Sequence, residues 1–159
     1  MLIKTIGLSG IPDWISLSKE YDKYVLEIAP DLTGWYDGGE NSVSFEGYML
    51  AKINKDEAFM AASEYGDCRG IVAISRTNNN ITFFGISHNH DFHSTGDLLL
   101  RHALSQLDLD RSIKINILKS DAEHIQKEYR LLSEYGFAYI SDGLEKGVPV
   151  KCMERKPIA

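Results

Sequence analysis

Ile81-Thr-Phe-Phe-Gly-Ile-Ser-His88-Asn-His-Asp91-Phe-His93-Ser94-Thr95-Gly96-Asp97-Leu-Leu-Leu-Arg-His-Ala-Leu104-Ser-Gln-Leu107 is the stretch on which the fold turns. Its first part, Asn80 to Ser87, is a β-branched and aromatic run of strand length. A polar loop follows at 88–95. From about Thr95 to Leu107 the apolar residues Leu99, Leu100, Ala103, Leu104 and Leu107 return at the helical period. The order is therefore strand, polar loop with small residues, helix. A helix start presents amide N–H groups without intrahelical partners and a partial positive charge. Ser94, Thr95 and Gly96 stand at that predicted entry, where small side chains let an anion approach the backbone. The same three residues also suit an ordinary helix cap.

Upstream, Arg69-Gly-Ile-Val-Ala-Ile-Ser is a second apolar run, and the turn Arg76-Thr-Asn-Asn-Asn joins it to the strand at 80–87 as a hairpin. Ala58 to Ser63 reads as a further strand and residues 1–8 as a short one. Ile11 to about Ala29 has helical spacing through Trp14, Ser18, Tyr21, Val25 and Ile28, with Pro12 in its first turn and Pro30 as its stop. A shorter helix is expected over about 44–53. Downstream, Ser112 to Leu118 alternates as a strand. Asp121 to Tyr135 is helical and ends at Gly136. Phe137 to Ile140 and Gly147 to Glu154 are the last strands, Pro149 suggesting an edge position for the final one. This order predicts a single α/β (α+β) domain over 1–159, with a mixed sheet flanked by helices.

The chain has 159 residues, enough for a core without staples, and 43 % of them are apolar. It has 17 Lys and Arg against 23 Asp and Glu, a formal charge of −6. That balance argues against a broad nucleic-acid or anionic-membrane grip. No run approaches the roughly 20 apolar residues of a membrane helix, and the N-terminus lacks a leader-like apolar stretch. A cytoplasmic location is the expectation. Cys68 and Cys152 lack CxxC spacing and read as buried or idle thiols.

The stretch at 81–107 resembles the GNAT superfamily of acyl-CoA-dependent N-acyltransferases. In that family a strand ending in an apolar residue leads into a Gln/Arg-x-x-Gly-x-Gly/Ala loop and a helix with a Leu-Leu pair. Laid on without gaps, Ile86 ends the strand, Asp91 takes the Gln/Arg place, Ser94 the first Gly, Gly96 the second, and Leu99-Leu100 the pair. Leu131-Leu-Ser-Glu-Tyr-Gly-Phe is similar to the family's helix, Gly-Phe and strand ending. In element order the likeness runs over about 58–153. It implies a GNAT-like, mostly antiparallel sheet, and acetyl-CoA (CoA) as acyl donor, bound at Ile86, Ser87, Asp91, His93, Ser94, Thr95, Gly96, Asp97 and Ser120.

Three departures stand out. Asp91 places a carboxylate where the family has a cation or amide, and like charges repel. A shifted register would put His93 at the basic place, with Ser94-Thr95-Gly96 after it; both registers stay open. Lys119-Ser120 stands for the family's Asn, and the family's helical Tyr falls on Leu132.

The resemblance implies direct acyl transfer to an amine of a small molecule or a protein. A backbone N–H near Ile86 or Ser87 would polarise the thioester carbonyl. His88 is the candidate base, its ordinary pKa suiting neutral pH, and Tyr129 the candidate acid. The plain alternatives are a polar loop histidine and a tyrosine packed on the sheet. The alternative for the whole chain is a non-catalytic acyl-CoA-binding sensor or interaction module of the same fold. Exposed edge strands leave a homodimer open.

Two other constellations were weighed. His88, His90 and His93 with Asp91 carry metal-ligating groups at close spacing, but a solvated loop explains them with fewer demands, and no metal is expected. The acidic, aromatic loop at 31–40, with Trp35, Tyr36, Asp37 and Glu40, would suit a mouth for an amine, or would cap the core.

Overall fold

The computed structural model describes residues 1–31, 39–88 and 91–157, with backbone alone for 39–44. Seven strands form one sheet in the order β1-β2-β3-β4-β5-β7-β6. They are β1 (Leu2–Thr5), β2 (Ala58–Ala62), β3 (Cys68–Ser75), β4 (Asn80–Ile86), β5 (Ile113–Leu118), β6 (Phe137–Glu145) and β7 (Val148–Arg155). The helices are α1 (Ile11–Ile28), α2 (Gly39–Asn54), α3 (Phe92–Ser105) and α4 (Glu123–Glu134). Every neighbouring strand pair is antiparallel except β4 with β5. The expected mixed, mostly antiparallel sheet with flanking helices is what the chain adopts.

Helices cover both faces of the sheet, and alternation along β4 shows how. Phe83 points toward α1, its ring 5.6 Å from Trp14, and a methyl on Gly85 would meet Leu17 of α1. Ile86 points the other way, toward Gly96 of α3. Trp14 is fully buried, with Phe45, Tyr48 and Phe83 around it edge-on. Burial of such rings is the main favourable term holding α1 and α2 to the sheet. On the opposite face Leu99, Leu100 and Ala103 of α3 and Ile125, Leu131 and Leu132 of α4 are buried.

The β4–β5 junction matters most. Among the described residues the two strands are the only parallel pair, and they are in register only at Asn80 and Lys114. Beyond that point β4 and β5 diverge, and the sheet splits.

Three boundaries differ from the sequence reading. α2 begins at Gly39 rather than near Ser44, and β6 runs on to Glu145. β7 is interior, between β5 and β6, although Pro149 lies in it. The Pro149 carbonyl accepts from the Lys119 amide, one residue past the end of β5. Its missing N–H lies on that same side, where the ladder has ended, so the proline costs little there.

Candidate active site at the split in the sheet

The third and most consequential boundary is the start of α3. It begins at Phe92, capped by Asp91, three residues earlier than Thr95. Ser94, Thr95 and Gly96 therefore lie inside the first turns instead of at the entry. The Asp91 carboxylate accepts from the Ser94 amide at 3.4 Å and from the Ser94 hydroxyl at 3.0 Å. These hydrogen bonds, the Ser94 hydroxyl first, hold its pKa below the usual carboxylate range. The first-turn amides expected to face a diphosphate are thus met by the chain's own carboxylate.

The other residues of that segment serve packing and pairing. Thr95 is fully buried, its hydroxyl directed at the Met1 sulfur 3.6 Å away. Gly96 faces α4, where any methyl would run into Leu131 and press Ile86 Cδ1 at 3.0 Å. Asp97 accepts from the Tyr135 phenol and pairs with Arg101 at 2.9 Å. His93 pairs with Glu134 at 3.0 Å, and that carboxylate raises the imidazole pKa. Beside them a depression of about 370 Å³ is lined by His93, Lys127 and Arg130 together with Asp91 and Glu134.

The end of β4 is equally occupied. The Ile86 amide donates to the Tyr21 hydroxyl at 2.8 Å, the Ser87 amide to the Arg69 carbonyl at 2.9 Å, and the His88 amide to Glu20 at 3.1 Å. None of these N–H groups is left pointing into the split. Tyr129, the candidate acid, donates its phenol proton to the Leu118 carbonyl, and burial pushes its pKa up to about 12. Ser120 holds the approach to α4: its hydroxyl accepts the Ala122 amide at 3.1 Å and its carbonyl the Gln126 side chain.

The split encloses a cavity of about 330 Å³. Thr82, Phe83 and Phe84 line it from β4, and Asn116, Ile117 and Leu118 from β5. Tyr21 of α1 and Phe45 and Tyr48 of α2 close one side, and Ile125 and Glu128 of α4 the other. The opening thus crosses the sheet and joins its two helical faces.

Glu128 is the chemical feature of this cavity. It is 2 % exposed, it hydrogen-bonds the Tyr21 hydroxyl, and its Oε2 has no partner among the described residues. Burial raises its pKa well above the ordinary value, because a carboxylate loses its hydration there.

A network leads outward from it. The Tyr21 hydroxyl lies 3.0 Å from His124 Nε2, and the His124 and His88 rings are 4.0 Å apart. His88 Nε2 is 2.6 Å from the Tyr24 hydroxyl. Burial, helped by nearby His88, lowers the His124 pKa to about 4; burial also lowers that of His88. Both rings are neutral at physiological pH. His88, the candidate base, therefore sits at the exposed end of this network instead of at the cavity.

The sequence reading places Tyr21 at helical spacing in the helix at 11–29 and leaves Glu128 unmarked within the helix at 121–135. A signal was available: Glu128 falls on the apolar stripe of α4, between Ile125 and Leu131-Leu132, one turn after His124.

Among the described residues no three His, Cys, Asp or Glu side chains come together as a metal set. His90 lies outside the described residues, as do Trp35, Tyr36 and Asp37, and the side chain of Glu40 is not described. Both cysteines are free and half-buried, and burial pushes the Cys68 thiol up to about 12. No described helix is long and apolar enough to cross a membrane.

No family model matches the chain, and no curated protein matches it in sequence. Solved structures do match in shape. A GNAT-family acetyltransferase from Streptococcus agalactiae superposes with a TM-score of 0.69 at 12 % identity, covering 99 % of this chain and 96 % of that one. An N-acetyltransferase from Staphylococcus aureus gives 0.68 at 10 % identity, over 97 % and 100 %. The Salmonella typhimurium protein yncA, solved with acetyl-CoA, gives 0.64 at 13 % identity, over 98 % and 92 %. The chain has the GNAT fold.

Proposed function

We propose that the chain is an N-acyltransferase that moves an acetyl or other acyl group from acyl-CoA to an amine of a small molecule or a protein. One observation carries this reading: β4 and β5 part to open a cavity through the sheet, with the buried Glu128 carboxyl in its lining. Fold alone never assigns an activity, so the weight rests on that site.

The fit to a CoA thioester is good at the split and poor at the start of α3. The cavity offers room and an apolar wall for an acyl group. Asp91, in contrast, holds the first-turn amides, so no residue is assigned there to a diphosphate. The nearest positive charge is on Lys127 and Arg130, across the depression beside Asp91. Acyl-CoA supplies an activated thioester carbonyl. The chain's part is proton handling. An acceptor that arrives as its ammonium ion has two protons to lose before it is an amide, and the sulfur needs one. Glu128, a carboxylate once that cation lies against it, takes the first to free the nitrogen lone pair and gives it to the sulfur as the C–N bond forms and the C–S bond breaks; the second leaves to solvent, and Glu128 ends as the carboxylate. Tyr21 holds the carboxyl through its hydroxyl and is itself fixed by the Ile86 amide.

The Asp91 cap and the occupied Ile86 amide favour a second reading, a non-catalytic acyl-CoA sensor or interaction module of the same fold. Thiol release from acetyl-CoA across a panel of amines separates the two. Transfer predicts amine-dependent thiol that Glu128→Gln lowers. Heat on titration with CoA but no thiol with any amine selects the sensor. Neither heat nor thiol defeats both.

A further inference from the structure

We propose that the cavity at the split takes a primary amine with a planar apolar body, bound as its ammonium ion against Glu128, and that binding expels the Glu128 proton to solvent. This deepens the transferase reading and rests on it for naming the cavity as the acceptor's side. The argument is chemical. Glu128 and Tyr21 both line the cavity, and Glu128 Oε2 is buried without a partner among the described residues. A buried oxygen without a protein partner gains most from a ligand that brings N–H donors and positive charge. Phe45, Tyr48 and Phe83 line the same cavity, and their ring faces suit a flat apolar body and a cation. The volume of about 330 Å³ fits one ring with a short amine arm better than a long chain. Glu145 and Lys146 also line the cavity; burial raises the Glu145 pKa and the neighbouring Lys146 charge opposes that rise, so this pair offsets itself and selection by charge falls to Glu128.

The proton balance is explicit. With no cation beside it, burial disfavours the Glu128 carboxylate relative to the neutral carboxyl. An incoming ammonium stabilises the carboxylate, so the O–H bond breaks and one proton leaves. Tyr21, His124 and His88 lie in that order between Glu128 and solvent, with Tyr24 beside His88. Lys127 and Lys23 are the nearby cations that disfavour extra positive charge on either histidine. The two histidines, whose pKa values burial lowers, therefore do not keep the proton.

The test is isothermal titration of the full chain with 2-phenylethylamine at neutral pH, in phosphate and in Tris, whose ionisation enthalpies differ. About one proton released per amine bound makes the two heats differ by the buffers' difference. Glu128→Gln is expected to weaken binding roughly tenfold or more and to abolish the buffer dependence. The two-buffer comparison on the unmodified chain stands alone should that variant fail to fold. Phenylacetate and 2-phenylethanol keep the body and change the charge. Equal binding of either, or equal heats in both buffers, overturns the proposal. Amine binding with proton release but no thiol from acetyl-CoA sinks the transferase reading and leaves this one standing. Thiol release without proton release on binding does the reverse.

Discussion

Replacing Glu128 by Gln keeps the shape of a side chain that is 2 % exposed and removes its titration. In the folded chain the carboxyl holds its proton well above the ordinary value of 4.5. Between that value and the folded pKa, the unfolded chain has lost the proton and the folded chain has kept it. The folded state then binds more protons, so stability falls as pH rises, by about 1.4 kcal/mol per pH unit. Glu128→Gln has no such slope. Its stability relative to the natural chain should therefore climb at about that rate through the window and stay level below it.

His124 acts in the opposite sense. Its folded pKa is about 4 against 6.5 unfolded, so it makes stability rise with pH between those values. Solvent screening of its partly exposed ring reduces that slope. In the natural chain the two slopes oppose each other below pH 6.5, and only the Glu128 fall remains above it. Urea midpoints of both proteins at several pH values from acid to mildly alkaline measure this directly. Parallel curves for the two proteins across neutral pH would refute a protonated, dry Glu128, and with it the proton-handling role.

Three further outcomes follow from the same geometry. Gly96→Ala drives a methyl into Leu131 and against Ile86, which should cost about 1–3 kcal/mol by overpacking; adding Leu131→Ala should return part of the loss in a thermal melt. Tyr21→Phe strips a partner from the Ile86 amide, His124 and Glu128 together, and should destabilise by about 1–3 kcal/mol in urea while moving the pH dependence of any amine-dependent thiol release. Asp91→Ala should lower the melting temperature by removing the α3 cap, yet tighten CoA in a binding titration, since a carboxylate no longer stands at that helix end; weaker CoA binding would show that Asp91 helps to hold the ligand.

What was legible in the sequence follows from what is local. Period and punctuation announce α1, from Pro12 to the stop at Pro30, and α3 from its leucine pair. They announce the hairpin of β3 and β4 through Arg76-Thr-Asn-Asn-Asn, because turn chemistry and alternation lie within a few residues of each other. The start of α3 was misplaced for a reason of the same kind. Ser-Thr-Gly and Asp91 are both good openings, and the choice falls to Asp91 because Thr95 and Gly96 are needed inside, under Met1 and against Leu131. That requirement is tertiary, and no local rule contains it.

The candidate site was less legible because its parts come from three elements. Tyr21, 65 residues before Ile86, and Glu128, 42 residues after it, meet only because β4 and β5 part and let α1 and α4 reach one cavity. The trace left in the sequence is an inconsistency: an acid set on the apolar stripe of an otherwise ordinary amphipathic helix. A surface glutamate explains nothing about such a position, and a core glutamate carries a desolvation cost that packing alone does not offset. Such a residue persists in a fold when its proton or its charge is used, and the cavity beside Oε2 is where that use would lie.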